Sequence, residues 1–161
     1  GHCIAIVIQI AARHALPVEA LSSTLPKLRV AQADAFIACW DTKFRYNLLR
    51  PVTYIKRHID PAWEPLLITP PFPEYTSGHS TQSGAASTLL TAIFGDTFAF
   101  DDETHVDEGL PVRSYPSFAA AADEAAVSRL YGGIHYPFGN EKGLEQGRAV
   151  GAYAAALRTE A

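Results

Sequence analysis

Phe72-Pro73-Glu74-Tyr75-Thr76-Ser77-Gly78-His79-Ser80 is the stretch on which the reading of this chain turns. Ahead of it, residues 60–76 carry Pro61, Pro65, Pro70, Pro71 and Pro73, too many for a helix interior, so an ordered loop is expected there. Beyond it, Ser87, Leu89, Leu90 and Ile93 predict a helix that starts just after Ser77 and stops at Gly95-Asp96. A loop that meets a helix start at Ser-Gly-His aims backbone N–H groups and the positive helix end at one point, which suits an anion. Ser77 adds a hydroxyl and Gly78 a bare backbone amide. His79, in the first turn, stands where it can give or take a proton near neutral pH. An ordinary N-capped helix with an incidental histidine fits the same residues, so support has to come from elsewhere in the chain.

Two flanking segments supply it. Lys43 and Arg50 are seven residues apart, about 20° from one line on a single helix, and such a pair can point at one ligand or simply sit on a solvated helix end. That helix is expected to begin with Pro26 in its first turn and to run to about Leu49, where Pro51 ends it, with Ala33, Phe36, Ile37, Trp40 and Phe44 as its apolar face. On the other side, Ser128-Arg129-Leu130-Tyr131-Gly132-Gly133-Ile134-His135-Tyr136-Pro137 places Arg129 and His135 six residues apart, about 240° on an unbroken helix. They diverge unless the chain turns at Gly132-Gly133, and the glycines permit that turn. Arg129 offers a planar fork for two oxyanion oxygens, and His135 a ring nitrogen as nucleophile or metal ligand.

The remaining chain reads as mostly helical. Residues 4–15 predict a core helix, Ser117 caps another that reaches Tyr131, and a last runs from Pro137 to about Leu157. Between Thr97 and Pro116 a short strand or hairpin is the most that the sequence supports. With 161 residues, 48% hydrophobic and 19% charged, and with no repeat or linker, the chain is expected to form one domain, an all-α bundle spanning residues 1–161. Thirteen Lys and Arg against 17 Asp and Glu give a net charge of −4, which argues against nucleic acid held by a broad basic surface. The apolar stretch 4–12 is too short for a membrane span, which needs about 20 residues, and it lacks the basic flank of a signal peptide, so a soluble chain is expected. Cys3 and Cys39 form no metal-binding spacing and are expected as buried free thiols. No compartment can be assigned.

Taken together, the three segments resemble the vanadium-dependent haloperoxidases and type 2 phosphatidic acid phosphatases, whose signature is Lys-x6-Arg-Pro, then Pro-Ser-Gly-His, then Ser-Arg-x5-His-x3-Asp. Lys43 to Pro51 matches the first element; Thr76-Ser77-Gly78-His79 matches the second with Thr76 for proline; Ser128, Arg129 and His135 match the third, with Gly139 where the signature has aspartate. The wording Tyr131-Gly132-Gly133-Ile134-His135-Tyr136 is similar to the soluble bacterial haloperoxidase-like branch. The resemblance implies a helical bundle in which Lys43, Arg50, Ser77, Gly78 and Arg129 hold the oxygens of vanadate, or of phosphate in its place. It implies His135 as apical ligand of vanadium or nucleophile on phosphorus, His79 as acid/base, and Trp40 and Phe72 as lining of a halide pocket.

Five-coordinate vanadate has the shape of a phosphoryl-transfer transition state, so one pocket serves either chemistry. The leading expectation is a vanadate-dependent haloperoxidase in which Lys43 also polarises the bound peroxide, with hydrogen peroxide and halide as small-molecule partners. The alternatives are a soluble acid phosphatase acting on phosphomonoesters through a phosphohistidine, and a non-catalytic oxyanion-binding remnant. Because the family carries further helices ahead of the first motif, N-terminal helices are expected to be lacking here, with a homo-oligomer covering the gap. For the aspartate missing at Gly139, the expectation is either that Asn140 or Glu141 substitutes or that activity is low.

Overall fold

In the computed structural model, which describes residues 1–158, the chain forms α1 (His2–Arg13), α2 (Val18–Tyr46), α3 (Pro51–His58), α4 (Gly78–Phe94), β1 (Phe100–Asp102), a 3-10 turn (Val106–Glu108), β2 (Arg113–Tyr115), α5 (Phe118–Tyr131) and α6 (Pro137–Ala155). The helical bundle is the expected class, and the small sheet is the hairpin allowed for between Thr97 and Pro116. It is antiparallel, pairing Phe100 with Tyr115 and Asp102 with Arg113.

Helix α4 is the middle of the bundle and packs on α6, α5 and α2. Its composition explains why: Gly84, Ala85, Ala86 and Ser87 are small and buried, so neighbouring helices come close. On α6, Gly143, Gly147 and Gly151 recur every four residues on the face toward α4. A Cβ on Gly147 would stand 2.8 Å from the backbone carbon of Thr81, and one on Gly143 2.8 Å from Ser77 O. Side chains at these positions would push α6 off the start of α4, where the site lies. The apolar core sits at the other end, where Val7, Ile10, Leu28, Ala31, Leu89, Phe100 and Phe118 come together.

Helix starts follow the capping chemistry. Ser117 Oγ accepts from Ala120 N at 3.1 Å, and Ser77 Oγ accepts from Ser80 N at 3.4 Å. Each such cap contributes about 1 kcal/mol.

Helix α2 departs from expectation in three ways. It begins at Val18 and carries Pro26 inside it rather than in the first turn. Its buried face is Leu28, Ala31, Ala35, Cys39 and Lys43, whereas the expected face is largely open: Ile37 is 66% and Phe44 63% exposed. Hydrophobic side chains at helical spacing marked a stripe, but the face that packs on α4 is the one on which small residues, Ala31, Ala35 and Cys39, lie between Leu28 and Lys43. The helix also ends early. Asn47 adopts the left-handed conformation (φ 48°) and its N–H caps Lys43 O at 2.8 Å, a role asparagine tolerates well.

Pro51 therefore opens a helix instead of closing one. It is the first residue of α3, with Arg50 as N-cap, the position at which proline's missing N–H costs nothing. Lys43 and Arg50 thus lie on different elements. Residues 59–77 form the expected loop, tied to the α5–α6 turn by Leu67 N donating to Gly132 O at 3.0 Å. Cys39 is a buried free thiol as expected, but Cys3 is only partly buried. Among the described residues, no helix is long and apolar enough to cross a membrane.

Candidate functional site

Three local structures deliver the motif residues to one place. The last turn of α2 carries Lys43, the loop before α3 carries Arg50, and the turn between α5 and α6 carries His135, flanked by Arg129 on α5 and by the α4 N-terminus with Ser77, Gly78 and His79. Gly133, at φ +73°, makes the turn that brings Arg129 and His135 to the same side. A Cβ there would also press on Trp63 and Pro65 at 3.1 Å.

Arg50 is the hub. Its Nε donates to Phe72 O at 2.9 Å, and its Nη1 lies 2.7 Å from Ile134 O and 3.1 Å from His135 Nε2. Its Nη2 is buried and has no hydrogen-bond partner among the described residues, an unusual state for a guanidinium nitrogen and one that suits an anion. Lys43 is 0% exposed, and its Nζ donates to Pro73 O and Glu74 O, each at 2.9 Å. Burial, reinforced by the charge of Arg50, lowers its pKa to about 8.

His135 is held from both sides. Nδ1 lies 2.6 Å from Glu74 Oε1, a carboxylate that can only accept, so the ring proton sits on Nδ1 and Nε2 keeps its lone pair. Glu74 Oε1 accepts from Tyr136 N as well, at 3.1 Å. Burial lowers the His135 pKa, and the nearby Arg50 and Lys43 charges add to this against the opposing pull of Glu74. A neutral ring with a lone pair on Nε2, facing a guanidinium, is the form that can bond an electrophilic centre.

The α4 N-terminus has a more selective geometry than expected. Ser77 N donates to Gly139 O at 2.9 Å, so that amide is used inside the protein. Ser80 N and Thr81 N go to Ser77 Oγ and Ser77 O, which leaves the Gly78 and His79 amides as the first-turn donors without an acceptor among the described residues. Ser80 Oγ lies 2.9 Å from Ser77 Oγ, which accepts its proton, and the Ser77 hydroxyl proton remains available. His79 is at the open side. Its Nε2 is 3.3 Å from Arg129 Nη1, and desolvation by its surroundings, followed by the charges of Arg129 and then of His135, lowers its pKa to about 4 even though part of the residue meets solvent.

Trp40 and Phe72 come together with ring centroids 5.1 Å apart, and Lys43 Nζ stands 5.7 Å and 5.3 Å from those two centroids. Phe36 stacks on the outer face of Trp40 at 3.8 Å. Thr76, which replaces the signature's proline, is buried and donates to Gln146 Oε1 at 2.6 Å, while Gln146 Nε2 reaches Thr42 Oγ1 at 2.8 Å. It ties the loop to α6 and, through it, to α2.

One functional residue was missed by the reading of the sequence, and one expected substitution is corrected. Asn140 does not reach His135: its Oδ1 lies 3.3 Å from Ser80 Oγ, and Glu141 faces solvent. The partner of His135 is Glu74, from the loop before α4. A glutamate 61 positions upstream gives no local signal; only the glycine at position 139 hinted that something else fills that space.

Among the described residues no cluster of three or more His, Cys, Asp or Glu could hold a metal cation. The donor set is instead cationic, with a neutral imidazole at its centre, which fits an oxyanion of a metal such as vanadate: positive donors for the oxygens, one nitrogen for the central atom, and a buried guanidinium nitrogen not otherwise engaged.

The chain's resemblances agree with this chemistry. The family described as the VCPO second helical-bundle domain matches residues 24–160. The vanadium chloroperoxidase of Curvularia inaequalis is 26% identical over 160 residues, 68% of this chain and 26% of that protein. The vanadium-dependent bromoperoxidase of Ascophyllum nodosum is 32% identical over 94 residues, 51% of this chain and 17% of that protein. Among solved structures, a bacterial vanadium-dependent iodoperoxidase superposes with a TM-score of 0.91 at 54% identity, over 95% of this chain and 37% of that one. A holo-type bacterial vanadium-dependent chloroperoxidase, 20% identical with a TM-score of 0.79, shares the fold. The chain spans about a quarter or less of the length of these curated relatives.

Proposed function

Since this chain belongs to the vanadium haloperoxidase family, through the VCPO second helical-bundle domain, we propose that its cluster of cations and histidines holds vanadate and supports the oxidation of halide by hydrogen peroxide. The observation that carries this reading is the facing pair Arg50 and His135: a buried guanidinium with one nitrogen unengaged, 3.1 Å from an imidazole nitrogen that bears a lone pair.

Vanadate, when bound, supplies the Lewis-acid centre at which hydrogen peroxide is activated for two-electron oxidation of a halide. His135 Nε2 would hold the metal centre, and Lys43, Arg50 and Arg129 would neutralise the charge on the oxygens. Ser77 contributes its hydroxyl proton and Gly78 its amide. Arg50 would offer the anion its unengaged Nη2 while its contacts to Phe72 O and Ile134 O hold it in place. Lys43, cationic below about pH 8, would also polarise the peroxide substrate. His79, neutral above about pH 4 and on the open side, would accept a proton from incoming hydrogen peroxide. Trp40 and Phe72 give an apolar wall beside Lys43, where a weakly hydrated halide meets positive charge without bulk water.

Because the 54% identical relative is an iodoperoxidase, iodide is the halide to assay first. The site draws on residues from α2, α4, α5 and the loops that join them, which supports treating the helical bundle as one functional unit. Protein loaded with vanadate is expected to oxidise iodide with peroxide, and to brominate a phenolic dye more slowly, at rates well above those of His135→Ala. Equal rates for the two proteins would contradict the reading. Hydrolysis of p-nitrophenyl phosphate that vanadate inhibits, with no peroxidase activity, would instead identify a phosphatase.

A further inference from the structure

The signature places its orienting carboxylate four residues after the site histidine, where this chain has Gly139. The space is nonetheless filled. A Cβ on Gly139 would fall within the Glu74 carboxylate, 2.8 Å from both Cδ and Oε2. Glu74 is 0% exposed, its Oε1 holds His135 Nδ1 at 2.6 Å, and its main chain is pinned by Lys43 Nζ on its carbonyl and by its own N–H on Leu48 O at 2.9 Å. Glu74 Oε2 has no hydrogen-bond partner among the described residues, so the carboxylate's bonds are spent on His135 Nδ1 and the Tyr136 amide.

We propose that Glu74 is the positioning residue of His135, and that the carboxylate has moved from α6 to the loop before α4, with Gly139 kept bare to admit it. This rests on the reading of the cluster as a vanadate site. The two positions compete for one space: a side chain at 139 would displace the Glu74 carboxylate from where it holds His135 Nδ1. Glu74 acts by orientation. It holds the proton on Nδ1 and turns the ring so that Nε2 faces Arg50 and the anion, the service that an outer carboxylate gives a metal-bound histidine. Its carbonyl also sets Lys43 Nζ, so one residue places two members of the site.

Exchange of the two side chains tests this. In wild-type protein without added anion, nitrogen-15 NMR of the histidine rings is expected to show His135 as the Nδ1–H tautomer. E74A is expected to lose that single tautomer and to bind vanadate roughly 10–100-fold more weakly by calorimetry. The double variant E74A/G139D restores both to within a few-fold of wild type. Should E74A fold poorly, the near-isosteric E74Q carries the same two measurements, since its amide can donate to Nδ1 as readily as accept from it. An E74A or E74Q protein with unchanged tautomer and affinity would overturn the role of Glu74, and a folded double variant that recovers neither would overturn the exchange. If wild-type protein binds no vanadate, the vanadate reading fails, while the tautomer still decides the role of Glu74.

Discussion

Arg129 Nη1 donates to His79 Nε2 across 3.3 Å, joining the α5 cation to the α4 histidine in one charge-coupled pair. A guanidinium on Nε2 leaves the ring proton on Nδ1 and opposes protonation of the ring. Desolvation is the larger cause of the low pKa, so removing Arg129 returns only part of the shift. In Arg129→Gln the His79 pKa is expected to rise from about 4 without reaching 6.5, as read by proton NMR titration. Bound phosphate, which replaces repulsion by attraction, should raise it in wild-type protein. The sign for stability follows. The folded pKa lies below the unfolded value, so His79 leaves stability unchanged above about pH 6.5 and lowers it progressively as pH falls from there toward 4.

Lys43 sets an alkaline limit. With its pKa lowered to about 8 by burial, it carries charge below that pH and loses it above. Phosphate affinity measured by calorimetry should therefore fall as pH rises through about 8, by up to tenfold per unit, and Lys43→Met should flatten that fall. For folding the sign is opposite. Between about 8 and 10.5 the unfolded chain holds the proton that the folded chain releases, so this group alone makes stability rise with pH.

Arg50→Lys tests geometry at constant charge. A lysine has one nitrogen where Arg50 uses separate atoms for Phe72 O and for the Ile134 and His135 side of the pocket. Losing a charged hydrogen bond costs about 1.5–3 kcal/mol, so phosphate affinity by calorimetry should drop roughly 10–100-fold. An unchanged affinity would mean that Arg50 serves the fold rather than the anion.

Gly147→Ala probes the contact that aligns α6 with α4. The new Cβ would stand 2.8 Å from the Thr81 carbonyl carbon, backbone that cannot rotate away. A loss of about 1–3 kcal/mol is expected, lowering Tm by several degrees in a thermal melt, with reduced anion affinity because Thr81 follows the start of the site by one turn.

Much of this arrangement was legible in the sequence where the cue was local. Ser77 and Ser117 announced their helices, and Gly132-Gly133 announced the turn that joins Arg129 to His135. Legibility failed where tertiary packing outweighed local pattern. Phe36, Ile37 and Phe44 looked like a core stripe, yet the buried face of α2 runs through the small residues Ala31, Ala35 and Cys39, between Leu28 and Lys43. Pro51 fits both a helix end and a helix start, and only the left-handed Asn47 separates the two. Glu74 was unreadable for a different reason. Its partner lies 61 positions away, and a missing side chain at Gly139 says that space is needed without saying by what.

The most direct test of the central claim is the electron density of crystals grown with vanadate. A tetrahedral or five-coordinate anion within bonding distance of His135 Nε2, with Lys43, Arg50 and Arg129 on its oxygens, is the predicted result. Saturating vanadate that leaves this pocket empty, or an anion bound elsewhere with His135 still on Arg50, would contradict the account.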